Sequence, residues 1–110
     1  MIKPIDDAVL VEIKKTEEKT SGGIVRPKTL IERDQMEETD GILVAIGDFA
    51  FYDLIANGKS YPQIGDRVYF KRHSGILHYD DPNNKVYRII HDQDIYGTEE
   101  ERINREVENG

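Results

Sequence analysis

Three histidines, His73, His78 and His91, are the full set in this chain, and the acids near them in sequence are Asp80, Asp81 and Asp92. Gathered in space, such side chains could ligate a metal. Their spacing matches no common zinc pattern, and a metal site needs convergent ligands. The plainer reading puts His73 and His91 in turns and His78 on a strand face. Asp6-Asp7 and Asp80-Asp81 are carboxylate pairs of the kind used in acid–base catalysis. More often such pairs are turn residues and solvated caps. No P-loop, Gly-x-Ser-x-Gly or His-Glu-x-x-His pattern occurs. No nucleophile, base and orienter can be placed together. The expectation is therefore no catalytic residue, no metal and no cofactor.

The informative chemistry is of another kind. Residues 20–31 read Thr-Ser-Gly-Gly-Ile-Val-Arg-Pro-Lys-Thr-Leu-Ile. Gly22-Gly23 precedes two β-branched apolar residues, Ile24 and Val25. Lys14 to Ser21 contains no large apolar residue, so these two have no evident core to join. They read as presented rather than buried, which makes the segment a candidate docking loop. A second cluster, Phe49, Phe51 and Tyr52, could stack on bases, pack inside the domain, or meet a neighbouring subunit. The charge balance argues against bases.

The chain has 110 residues, which suits one domain. Hydrophobic residues make up 37% and charged residues 34%, a polar balance that implies loops or a tail. Net charge is -7, from 15 basic and 22 acidic residues. Basic residues are interleaved with acids, so no phosphate-binding face is expected. Without cysteines there are no disulfides or thiolate metal sites. No apolar run approaches the roughly 20 residues that span a bilayer, and the N-terminus has no signal-peptide pattern. A soluble, cytoplasmic protein is the expectation.

The elements that must position the docking segment are short strands. Ala8 to Ile13, Gly41 to Ile46, Arg67 to Lys71, Gly75 to Tyr79 and Lys85 to Ile90 are β-branched or aromatic runs bounded by turn residues. That pattern predicts an all-β barrel or sandwich. Two long connections interrupt it. One runs from Lys14 to Thr39; connections this long tend to be functional or disordered. The other runs from Asp48 to Gln63 and contains Asn57-Gly58, a strong hairpin-turn signal. Near the end, Thr98 to Glu101 has the form of a capping box, followed by i,i+4 pairs of opposite charge. A short, exposed, acidic helical tail over 98–110 is expected.

In order, these pieces resemble the co-chaperonins, the GroES-like ten-kilodalton lids of chaperonin rings. Ile2-Lys3-Pro4-Ile5-Asp6-Asp7-Ala8-Val9-Leu10-Val11 is similar to the family's opening motif. Ser21 to Val25 resembles the heart of its mobile loop, and Gly41 to Gly47 the strand that follows. Asn57-Gly58 falls where the roof hairpin turns. Ile64 to Phe70, Lys85 to Ile90 and Asp94-Ile95 are similar to the remaining turn and strands. The resemblance covers about residues 1–96.

The resemblance implies an irregular, partly open β-barrel over residues 1–97. It implies a mobile loop at about 15–39 and a roof hairpin at about 48–62. It implies seven subunits in a ring that caps a chaperonin in an ATP-dependent cycle, with substrate proteins enclosed and ATP hydrolysed by the chaperonin alone. Gly22, Gly23, Ile24, Val25 and Arg26 become the chaperonin-binding residues; Phe49, Phe51, Tyr52, Asn57 and Gly58 become the roof. Neither nucleic acid nor membrane is an expected partner. Arg26 stands where the family's loop usually has a third apolar residue, and the tail is longer than usual. These departures suggest a divergent or phage-encoded member, acting in the host cytoplasm in the latter case. A monomeric β-barrel adaptor binding another protein through Ile24-Val25 is the alternative.

Overall fold

The β-branched and aromatic runs form strands because extended backbone seats their side chains on a half-buried pleat. The computed structural model describes residues 2–16, 23, 25 and 27–99. Its strands are β1 (Ala8–Ile13), β2 (Asp40–Ile46), β3 (Arg67–Phe70), β4 (Ile76–Asp80), β5 (Lys85–His91) and β6 (Ile95–Glu99). They make one antiparallel sheet in the order β4-β5-β1-β2-β3-β6. Among the described residues the ring of strands is not closed, so β4 and β6 are the edges of this sheet. Register shifts between Leu10 and Val11, and between Tyr69 and Phe70, bend the sheet as bulges do. This is the partly open, all-β architecture expected from the sequence.

Val9, Val11 and Ile13 point from β1 into the core, with Val86 and Ile90 from β5, Leu43 from β2 and Val68 and Phe70 from β3. Directly opposed residues share a face. Val11 lies opposite Arg88, so a fully buried arginine stands on the core face between Val86 and Ile90. Gly41 makes the β1–β2 approach possible: a Cβ there would strike the Glu12 carbonyl and the Val11 side chain.

Three expectations are corrected. First, residues 28–37 of the presumed loop form helix α1 (Lys28–Glu37), entered from Pro27 at φ -58 and left through extended Glu38. Most of its residues favour helix, but its apolar members are only Leu30, Ile31 and Met36, too few to mark an amphipathic stripe.

Second, the 48–62 connection is not a hairpin. It holds a short helix, α2 (Tyr52–Ala56). Asn57 has φ -94, whereas a type I′ turn needs a positive value there. Gly58 takes φ +68. The Lys59 amide donates to Leu54 at 2.8 Å and the Gly58 amide to Ile55 at 3.1 Å. That pair of bonds is a Schellman ending, so the dipeptide stops a helix.

Third, Thr98 is not a helix N-cap. It lies in β6 opposite Val68, with Glu99 opposite Arg67. The Tyr69 hydroxyl donates to Glu99 Oε1 at 2.6 Å, and Thr98 Oγ1 donates to the Arg67 carbonyl at 3.1 Å. Strand pairing therefore extends two residues past the expected barrel boundary. The remainder of the expected tail helix, residues 100–110, lies outside the described residues.

Candidate functional site

The candidate docking segment follows Thr16 and ends at Pro27, and the junction of the two flanking stretches, Lys14–Thr16 and α1, is built on Gln35. This side chain is fully buried on the last turns of α1. Its Nε2 donates to the Lys14 carbonyl at 2.8 Å, and its Oε1 accepts from the Thr16 amide at 2.6 Å. One amide group thus satisfies a donor and an acceptor of a non-strand backbone. The outgoing stem, Lys14–Thr16, is tied to the returning stem, α1. A polar groove of about 550 Å³ runs beside this junction, between Lys14–Thr16 and Asp34–Thr39.

Arg88 holds α1 from the core side. Its Nη1 donates to the carbonyls of Gln35 (3.1 Å) and Glu38 (3.3 Å), its Nη2 to Met36 (3.1 Å) and its Nε to Ser74 (2.6 Å). The guanidinium carbon lies 5.2 Å from the Phe70 ring centroid, a cation–π distance. The last carbonyls of a helix lack intrahelical partners and carry partial negative charge, which a cation complements. Burial pulls the Arg88 pKa down, and Glu38 pushes the other way; a guanidinium remains charged regardless. Burial and then Asp40 push the Glu38 carboxyl up, with Lys14 and Arg88 opposing.

Of the expected docking residues, Gly23 and Val25 are described. Gly23 has φ +81 with open space around its Cα, a left-handed conformation suited to glycine. Val25 is 65% exposed. Gly22, Ile24 and Arg26 lie outside the described residues.

The aromatic cluster divides. Phe51 is core, 4% exposed, while Phe49 and Tyr52 are each 57% exposed. Phe49 and Tyr52 rings meet at 5.7 Å between centroids. Phe51 holds φ +61, rare for a bulky residue. Its amide donates to Asp92 Oδ2 at 2.7 Å, and its ring lies 6.1 Å from that of Tyr61. That left-handed residue turns one aromatic inward and leaves its neighbours out.

The titratable residues do not converge. His73 sits in a turn at φ +62, His78 on β4 and His91 at the end of β5. His91 Nδ1 lies 3.1 Å from Asp7 Oδ1, and that hydrogen bond raises the His91 pKa. Asp6-Asp7 forms a turn, and Asp81 opens a 3₁₀ turn. Among the described residues, no group of three His, Asp or Glu side chains could hold a metal. Likewise, no described helix is long and apolar enough to cross a membrane.

Gln35 and Arg88 escaped the sequence reading. The one available signal was an arginine inside the otherwise apolar alternation of Val86 to Ile90.

Comparison with known proteins agrees with this architecture. The family model described as chaperonin 10 Kd subunit matches residues 1–99. The chain is 38% identical to the co-chaperonin GroES of Parageobacillus thermoglucosidasius over 96 residues, covering 86% of this chain and 95% of that one. It is 36% identical to the co-chaperonin GroES of Geobacillus stearothermophilus over the same shares. It is 35% identical to that of Lactobacillus acidophilus over 103 residues, 90% of this chain and 99% of that one. These relatives are bacterial and lend no support to a phage origin.

Proposed function

The chain belongs to the chaperonin 10 Kd subunit family, and from that premise we propose that it is a co-chaperonin whose residues 22–26 dock on a chaperonin ring. Its function is to cap the ring so that substrate proteins fold in the closed chamber. The family match over residues 1–99 carries this reading. The exposure of Val25 and the open space at Gly23 support the choice of docking residues.

The mechanism is one of many weak contacts. Ile24 and Val25 are the apolar anchors, and Gly22-Gly23 gives the backbone its freedom. Each segment pays for ordering when it docks, so a single contact is weak. Seven copies in a ring multiply the weak contacts into avidity, and release stays possible when the chaperonin changes state. ATP is bound and hydrolysed by the chaperonin, so no catalytic group is needed here. The protein works in the cytoplasm. Arg26, adjacent to the anchors, lowers the apolar content of the contact and sets partner choice through its charge.

Mixing the protein with a chaperonin and ATP tests this. The expected result is a joint complex at the mass of chaperonin plus one seven-subunit ring, with altered ATPase turnover. A protein that stays monomeric and leaves turnover unchanged contradicts it.

A further inference from the structure

We propose that Gln35 is a positioning residue for chaperonin docking: it clips the two stems of the docking segment together before any partner arrives. The inference rests on the reading of residues 22–26 as the docking segment. Gln35 is gripped twice. Its main-chain carbonyl accepts from Arg88, which belongs to the core. Its side chain holds both Lys14 and Thr16. The barrel core, α1 and the outgoing stem are thereby one connected unit.

The consequence is entropic. Between β1, ending at Ile13, and β2, starting at Asp40, lie residues 14–39. The clip holds Lys14 and Thr16 to α1, so the chain leaves this unit after Thr16 and rejoins it at Pro27. Effective concentration falls roughly as the three-halves power of tether length, so a tether counted over residues 17–26 rather than 14–39 favours docking by up to about fourfold per subunit. Avidity compounds that factor over the ring. Preorganisation of this kind offsets a contact made less apolar by Arg26.

A buried glutamine with both ends satisfied could instead serve stability alone. Gln35→Met separates the two roles, because it keeps the volume and removes both hydrogen bonds. The adjoining polar groove lets the freed Lys14 carbonyl and Thr16 amide turn to water, so the fold is expected to survive. The test measures affinity of the assembled Gln35→Met protein for an ATP-loaded chaperonin, alongside ring mass and melting temperature. The expected result is affinity reduced at least about tenfold, with mass unchanged and melting within a few degrees. Affinity within twofold of the parent overturns the proposal. If the variant does not assemble, amide exchange of the unaltered protein decides. Thr16 N–H protected as strongly as α1 supports the clip; exchange at the rate of an open amide overturns it. The Ile24→Asp, Val25→Asp double variant keeps the two readings apart. Loss of capture by the double variant alone removes the clip and leaves the docking assignment; full capture by both removes the docking assignment.

Discussion

Arg88 Nη1 lies 3.1 Å from the carbonyl oxygen of Gln35, across 53 residues of sequence. A strand residue on the core face thus closes the end of a helix that grows from a polar connection. Replacing Arg88 by Leu removes the donor to Gln35, Met36, Glu38 and Ser74 together. Hydrogen bonds from charged donors contribute more than neutral ones, so the expected loss is about 3 kcal/mol. Urea unfolding measures the loss, and amide exchange should show α1 opening first. Arg88→Lys recovers only part, since an ammonium lacks the planar fork. An unchanged urea midpoint for Arg88→Leu contradicts this role.

Two glycines with the same backbone sign should behave differently. Gly75 has φ +67, and a Cβ there would run into the Ile89 carbonyl and side chain of Ile90. Gly58 has φ +68 with nothing nearby. Gly58→Ala should cost about 1 kcal/mol from conformation alone. Gly75→Ala adds a backbone clash and should cost well over twice as much. Equal melting temperatures for the two variants would argue against the packing of β4 on β5.

The aromatic cluster offers a third test. Phe51→Ala leaves a cavity in the core and should cost about 3–5 kcal/mol. Tyr52→Ala, at an exposed position, should change stability by no more than about 0.5 kcal/mol. Thermal unfolding of both variants checks the split. Comparable losses would mean that the two rings share one environment.

Much of the fold could be read from residue types. β1, β2, β3 and β5 are runs of branched and aromatic residues bounded by turns, and their local pattern is their structure. α1 was not readable, because it is pinned by the buried amide of Gln35 and by Arg88 from a distant strand. Asn57-Gly58 was ambiguous because a positive φ at glycine serves hairpin turns and helix ends alike. The inward turn of Phe51 depends on Asp92, 41 residues away. Thr98 has the local form of a cap, but pairing with β3 overrides it. Local chemistry was therefore a good guide to strands and a poor one to long-range polar ties.

The Asp7–His91 pair predicts a pH effect with a definite sign. The hydrogen bond and charge of Asp7 raise the His91 pKa above its ordinary 6.5. The pair's contribution is complete below about 6.5 and is lost as pH rises through the higher folded value. Both side chains are largely exposed, so the effect is small and weakens with salt. An NMR titration of His91 should show its pKa falling in Asp7→Asn. An unmoved titration would contradict the pairing.

Ile24 and Val25 are proposed as the residues that dock this co-chaperonin on a chaperonin. The most direct test is capture of the Ile24→Asp, Val25→Asp double variant by an ATP-loaded chaperonin, with ring mass and melting temperature recorded on the same sample. An intact ring, parental melting and no detectable capture are expected. Capture equal to the parent protein would contradict it.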